Sequence, residues 1–223
     1  MVGPGKSNEA KIGGRQVIFE GGHRGKDQHK RGLKEFLDKF SPDGHKVKVV
    51  MGFGRVQAAG AFLDRVNKGA DAFLLIDAEG PLTAKSISTV IGPELANYGE
   101  RVFFMVQVME SWFVADSNAL VGIKNVRLAI LTDELKRRGG NIEGIAKSQA
   151  LHLFSRATDG HVCSTENGKG ARLSYLANLD PEKLRKASAE ADRLIRTAEN
   201  KWIPLRYVPT NAQKAPNAGD LGE

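Results

Sequence analysis

Acidic side chains follow three of the four apolar segments in the first half of this 223-residue sequence. Glu20 follows the first segment, Asp77 and Glu79 follow the third, and Glu110 follows the fourth. If the segments are parallel strands, these residues share the sheet edge outside the carboxyl ends of the strands, where ligands bind in open α/β sheets. The pattern therefore predicts a cluster of carboxylates at one edge.

Four carboxylates at one edge repel each other unless a cation compensates their charge. Their oxygens suit Mg²⁺ or Mn²⁺, bound through one or two carboxylates, water and a substrate phosphate. In an extended backbone, Asp77 and Glu79 lie on the same side about 6–7 Å apart, a spacing that holds one ion or brackets two. A structural explanation stays open, because acids after strands also cap helices and turns, and Glu110 or Asp116 in a first helical turn would favour the helix dipole.

The elements that must position these acids alternate between strands and helices. β-Branched and aromatic runs predict strands, and apolar residues three or four apart predict helices. The predicted strands cover 15–20, 46–51, 72–76 and 101–109, and the helices cover 30–40, 55–67 and, more weakly, 82–91. We expect the second helix to face the core with Val56, Ala59, Phe62, Leu63 and Val66. This order predicts an α/β fold with a mostly parallel sheet flanked by helices.

The second half of the sequence is mainly helical and less regular. Helices are predicted over 132–138, 173–179 and 181–202, the last with Asp180 as its N-cap, whereas 139–168 is polar and contains glycine. Trp112 and Phe113 are most simply core residues. We expect a flexible lead-in over 1–14, an α/β core over 15–120, a mainly helical part packed on that core over 121–207, and a disordered tail over 208–223.

The composition is globular with a basic excess. The 33 Lys and Arg residues outnumber 26 Asp and Glu, and the net charge of +7 is compatible with an anionic partner. The single cysteine, Cys163, excludes an intramolecular disulfide and a zinc site with several thiolates. No apolar run approaches the ~18 residues that span a bilayer, so we expect a soluble, cytoplasmic protein. The sequence has no nucleophile elbow, phosphate-binding loop or H-E-x-x-H motif.

Three blocks of the sequence resemble the DUF4276 family of small bacterial proteins, which has a Toprim-like core. The blocks are Val17-Ile-Phe-Glu20-Gly-Gly22, Leu74-Leu-Ile-Asp77-Ala-Glu79 and Met105-Val-Gln-Val-Met-Glu110-Ser-Trp-Phe-Val-Ala-Asp116. A looser match covers 168–193, where the family has a lysine before a helix and an LDP-type turn. The resemblance therefore extends over about residues 15–200, and it implies a Toprim-like fold for the α/β core.

The resemblance also implies roles for individual residues. Glu20 resembles the acid that acts in general acid–base chemistry or touches the metal, and Lys169 is the matching lysine before a helix. Asp77 and Glu79 resemble the pair that binds Mg²⁺ or Mn²⁺, with Glu110 as a further acid at the same edge. The chain has D-x-E where Toprim domains have D-x-D, and glutamate reaches one methylene further.

Two functions are compatible with these residues. The first is a divalent-metal-dependent nuclease, in which Arg24, Lys26 and Lys30 contact substrate phosphates, although these three could also be a solvated loop. The family resembles one often encoded beside an ATPase in defence loci, which implies an effector in anti-phage defence.

The alternative is a non-catalytic partner subunit of an ATPase complex. Its contact surface would comprise Trp112, Phe113 and the 181–202 helix, although these residues could equally pack inside the chain. A homo-oligomer is compatible with either function.

Overall fold

The computed structural model describes residues 14–21, 28–80, 92–160 and 173–204, without the side chains of Gln28 and His29. Four strands form one parallel sheet with the order β2-β1-β3-β4. They are β1 (Gln16–Phe19), β2 (Lys48–Met51), β3 (Ala72–Asp77) and β4 (Val102–Met105). The predicted α/β class with a parallel sheet flanked by helices is confirmed. The predicted helix over 82–91 and tail over 208–223 lie outside the described residues, as does the lead-in except Gly14.

The strand order reverses at β1, which pairs with β2 on one side and with β3 on the other. The chain leaves β1 towards β2 and then returns across β1 to form β3. A reversal of this kind opens a crevice outside the carboxyl ends of the two strands, which is the usual ligand position in open parallel sheets. The carboxyl ends of β1 and β3 therefore border the expected position of a ligand.

Both faces of the sheet are buried, which explains why the strands are almost continuously apolar. One face, including Ile18, Leu74 and Phe104, packs against α2 (Arg55–Asn67) through Ala58 and Phe62. The other face packs against α1 (Gln28–Asp38) and the C-terminal helices in one larger apolar cluster.

Within the described ranges, five helices with assigned bounds follow β4. They are α3 (Glu110–Ala115), α4 (Leu128–Arg137), α5 (Lys147–Ala157), α6 (Pro181–Ala187) and α7 (Ala189–Glu199), with short 3₁₀ segments at Ser117–Leu120 and Leu176–Asn178. Another 3₁₀ segment, Ala96–Arg101, lies directly before β4. Arg193 of α7 contacts the start of β4. Its guanidinium donates to the carbonyl oxygen of Val102 at 2.5 Å and lies over the Phe103 ring. Among the described helices, none is long and apolar enough to span a bilayer.

Helix boundaries in the second half differ from the sequence prediction, and α4 begins at Leu128 rather than at 132. Helix α5 lies within the polar segment 139–168, where its buried face consists of Ala150, Leu153, Phe154 and Ala157. The single helix expected over 181–202 is divided at Ser188, whose Oγ accepts the Ala191 N–H at 3.1 Å and caps α7. The predicted cap is confirmed, since the Asp180 carboxylate accepts the Glu182 N–H at 2.9 Å.

Two expectations in the first half are wrong. Val56 is 81% exposed, because α2 presents Ala58 and Phe62, rather than Val56, to the sheet. Strand β4 ends at Met105 rather than at 109, and Gln107 adopts the left-handed backbone conformation with φ 66°. The backbone at Gln107 therefore cannot continue the strand towards Glu110.

Two glycines inside helices predict opposite effects of the same substitution. A Cβ at Gly32 of α1 would lie 1.9 Å from the carbonyl oxygen of Leu173, whereas a Cβ at Gly60 of α2 meets nothing within 4 Å. We expect Gly32→Ala to lower the free energy of unfolding by about 2 kcal/mol or more through overpacking. Gly60→Ala should raise it by about 0.5–1 kcal/mol through helix propensity. Urea unfolding of both variants checks this, and equal effects would contradict the close approach of α1 to Leu173.

Candidate functional site

The carboxylate of Glu20 joins the two strands that border the crevice. Its backbone N–H donates to the carbonyl oxygen of Leu75 at 3.0 Å, which extends the ladder between β1 and β3 by one residue. Its Oε2 accepts the backbone N–H of Asp77 at 3.0 Å. The Glu20 side chain therefore lies across the crevice, at the ends of both strands.

Asp77, which is partly buried, is the acid of the site with a raised pKa. Its Oδ1 accepts the backbone N–H of Met109 at 3.2 Å, which connects β3 to the loop before α3. Burial, and then the charges of Glu20 and Glu110, raise the pKa of Asp77 to about 8, although the Met109 N–H and Lys147 act in the opposite direction. Asp77 thus holds a proton at neutral pH that an isolated aspartate would have lost.

Glu110 is the second acid whose charge acts on Asp77. It is 6% exposed and lies in the first turn of α3. Its charge contributes to the raised pKa of Asp77, as does that of Glu20. The structure therefore brings Glu20 and Glu110 within electrostatic reach of Asp77.

Arg55 is a site residue that sequence reasoning missed. It opens α2, and its Nη2 donates to the carbonyl oxygen of Asp77 at 2.6 Å. Its guanidinium also approaches two carboxylates, with Nε 3.5 Å from Glu20 and Nη2 3.7 Å from Glu79. The buried Nε has no hydrogen-bond partner within the described part of the chain. The signal in the sequence was its place directly after Gly52-Phe-Gly54, at the carboxyl end of β2.

The loop before Arg55 is fixed to the site by its backbone. The N–H of Gly52 donates to the carbonyl oxygen of Phe19, and that of Gly54 donates to the carbonyl oxygen of Glu20, both at 2.7 Å. Phe53 and Gly54 both have positive φ, at 59° and 117°. For phenylalanine this conformation is strained, and it leaves the side chain 43% exposed. The loop therefore delivers Arg55 to the crevice at the expense of local backbone strain.

Glu79 lies apart from the other three acids. Its backbone adopts the left-handed conformation with φ 57°, so the extended Asp77-x-Glu79 geometry expected from the sequence is wrong. Its N–H donates to the carbonyl oxygen of Gln107, and its Oε1 accepts from Lys147 Nζ at 2.7 Å. The hydrogen bond from Lys147 lowers the pKa of Glu79, and the same bond raises the pKa of Lys147. Lys147 belongs to α5, which no sequence pattern linked to the acids.

The donor set fits a hard divalent cation. Glu20, Asp77 and Glu110 supply carboxylate oxygens, and burial, followed by the charges of Glu20 and Glu110, raises the pKa of Asp77. Glu79 is the least suited of the four because Lys147 holds it. Within the described ranges, no three His, Cys, Asp or Glu side chains form a preassembled metal site.

Four residues predicted to act on substrate do not join this group in the described structure. Arg24, Lys26 and Lys169 lie outside the described residues. Lys30 lies in the first turn of α1 and lines a groove with Gln16 and Lys48, the first residues of β1 and β2. Its predicted contact with a substrate phosphate near the acids stays a prediction.

The residues expected to form a partner surface are internal. Trp112 and Phe113 are fully buried, which confirms their prediction as core residues. The apolar residues of α6 and α7 are also buried: Leu184, Ala187, Ala191, Leu194, Ile195 and Ala198. Asp116 has a structural role, because it accepts from Lys183 Nζ at 2.8 Å and from the Asp180 N–H at 3.0 Å.

The fold and the crevice define an α/β protein with a four-stranded parallel sheet and an acidic group at its topological switch point. No protein-family model matches the chain, and no curated protein or solved structure is significantly similar to it.

The raised pKa of Asp77 predicts that stability depends on pH. A carboxyl whose pKa is higher in the folded state than its usual 3.8 stabilises the fold fully below pH 3.8, and this contribution is lost as the pH rises through about 8. Asp77→Asn keeps an acceptor for Met109 but cannot ionise. Between about pH 5 and 9, we expect the free energy of unfolding of the wild type to fall by about 1–3 kcal/mol relative to this variant.

Chemical denaturation across this pH range measures the effect. Glu79→Gln is the matched control, because the pKa of Glu79 is lowered and its contribution is lost only on acidification. A wild-type curve parallel to that of Asp77→Asn would contradict the buried, proton-holding carboxyl.

Proposed function

We propose that the chain is a divalent-metal-dependent nuclease with a Toprim-like core, a hydrolase of phosphodiester bonds in DNA or RNA. The observation that carries this proposal is the placement of Glu20 and Glu110 within electrostatic reach of Asp77, at the switch point of a parallel sheet. Burial and these two charges make ionisation of Asp77 costly, and a divalent cation bound with a substrate phosphate would offset that cost.

Glu20, Asp77 and Glu110 are the residues that would hold Mg²⁺ or Mn²⁺. When bound, the ion would polarise a phosphoryl oxygen and offset the charge that develops on the leaving group. Binding requires Asp77 to release the proton that it holds at neutral pH. Glu20 is suited to a second task, because its Oε1 is not used in the hydrogen bond to Asp77 and can accept a proton from a nucleophile.

Arg55 is suited to orient the substrate phosphate. Its guanidinium is anchored by the carbonyl oxygen of Asp77, and its Nε has no hydrogen-bond partner among the described residues. A phosphate oxygen is a strong acceptor for such a group. Lys147 can supply a second positive charge on the side of Glu79, at the start of α5.

The wider biological role rests on the sequence resemblance. The DUF4276-like blocks around Glu20, Asp77 and Glu110 support an effector function in anti-phage defence beside an ATPase. Within that function, Lys169 is proposed as a catalytic residue, and Arg24 and Lys26 are proposed as phosphate contacts. Glu79 is then a ligand only if substrate or metal displaces Lys147.

One observation favours the alternative, a non-catalytic partner subunit. Arg55 and Lys147 already compensate part of the acidic charge, with contacts of 3.5 Å to Glu20 and 2.7 Å to Glu79. If these ion pairs are sufficient, the acids serve only to connect β1, β3 and the loop before α3. Metal binding decides between the two functions.

Metal titration should separate the two glutamates. We expect Glu110→Gln to weaken Mn²⁺ binding by about tenfold or more, since it removes charge from the buried group, and Glu79→Gln to change it by less than about threefold. Isothermal titration calorimetry of the wild type and both variants measures this. The absence of Mn²⁺ binding in the wild type would favour the partner subunit.

Cleavage should depend on Asp77. We expect labelled single- and double-stranded DNA and RNA to be cut with Mg²⁺ or Mn²⁺, and Asp77→Asn to reduce the rate by about a hundredfold or more through loss of a charged ligand. Asp43→Asn is the matched control, because Asp43 is exposed and lies in the turn before β2, at the opposite end of the strands. Activity that survives in Asp77→Asn would refute the metal assignment.

A further inference from the structure

A basic groove lies along the β2 edge of the sheet. It has a volume of about 530 Å³ and runs between α1 and the amino-terminal ends of β1 and β2. Five of its nine lining residues are cationic and none is acidic: Arg15, Lys30, Lys34, Lys46 and Lys48. The lining of this groove is therefore strongly basic.

The cations are arranged in two rows. Lys30 and Lys34 are four residues apart on α1, which places their Cβ atoms about 5–6 Å apart on one helix face. Lys46 and Lys48 flank the buried Val47 at the start of the edge strand, about 6–7 Å apart along the backbone. Both rows therefore repeat charge at a spacing similar to that of successive phosphates in an extended polynucleotide.

Neighbouring acids offset only part of this charge. Arg15 pairs with Asp71 at 2.5 Å, and Lys34 pairs with Asp38. Lys46 and Lys48 are exposed, and neither forms an ion pair with another residue in the described part of the chain. Lys46 and Lys48, the strand row, can therefore contact an anionic ligand without breaking an ion pair to a described residue.

We propose that this groove binds the phosphodiester backbone of a nucleic acid, at a place separate from the carboxylate crevice. The proposal rests on the proposed function only in its choice of nucleic acid as the substrate. A membrane surface fits less well, because the large apolar side chains that are exposed, such as Phe53 and Ile203, do not line the groove. An acidic protein is less well matched, because the groove offers no aromatic anchor for a protein side chain.

Charge reversal in the strand row tests the groove. In the Asp77→Asn background, which prevents cleavage, we expect Lys46→Glu/Lys48→Glu to weaken binding of a fluorescent oligonucleotide by about 10–100-fold at ~0.1 M salt. The slope of log K against log salt should fall by about two, since two phosphate contacts are lost. Fluorescence anisotropy over a salt series measures both quantities.

The matched control is Lys124→Glu/Lys136→Glu, which changes the net charge equally at two exposed lysines outside the groove. We expect it to weaken binding by less than about threefold. Equal losses in the two double variants, or unchanged binding in the groove variant, would overturn the proposal. If the groove variant melts early, Lys46→Gln/Lys48→Gln provides the same comparison with a smaller expected loss.

Two competitors separate the classes of partner. Polyglutamate of equal charge, or vesicles rich in phosphatidylserine, should displace the oligonucleotide at least tenfold less well than unlabelled DNA does. Displacement as effective as that by DNA would assign the groove to an acidic protein or to a membrane instead. Because binding is measured without cleavage, a protein that binds in the groove but never cuts would refute only the nuclease function.

Discussion

The hydrogen bond from the Asp77 backbone to the Glu20 carboxylate is the contact on which the candidate site depends. It joins β1 to β3 at 3.0 Å, at the point where the strand order reverses. The end of β1 also fixes the Gly52–Gly54 loop, because the carbonyl oxygens of Phe19 and Glu20 accept the N–H groups of Gly52 and Gly54. Arg55 then follows directly and contacts the carbonyl oxygen of Asp77. Glu20 thereby joins β1 to β3 through its carboxylate and to the Gly52–Gly54 loop through its backbone carbonyl oxygen.

Negative charge at the site can be compensated in two ways. In the described structure, burial raises the pKa of Asp77 to about 8, while Arg55 and Lys147 pair with Glu20 and Glu79. If the proposed divalent cation binds, it would replace the proton on Asp77 and compete with Arg55 for Glu20. Proton release and a shift of the guanidinium would then be coupled to metal binding by electrostatics.

The sequence predicted the parts of this arrangement that depend on local patterns. The ends of the strands placed Glu20 and Asp77 at one edge, and the Asp180 cap was readable from the residue before Pro181. Lys147 was not predictable, because α5 reaches Glu79 only through tertiary packing across 68 residues of chain. The left-handed backbone at Glu79 and Gln107 could not be predicted from the sequence either, for another reason. Neither residue type signals positive φ, so the expected strand geometry failed at both.

The structure locates part of the chain's excess positive charge, whereas the net charge of +7 alone says nothing about its position. The acidic crevice lies at the carboxyl end of β1, and the basic groove begins beside Arg15 and Gln16 at its amino end. Five residues of extended chain separate Arg15 from Glu20, a distance of about 16 Å. If both places act as proposed, a single mononucleotide would be too short to contact both, whereas a strand of several nucleotides would be long enough to reach from the groove to the acids. Substrate length, rather than base identity, is therefore the property that the two proposed sites together would select.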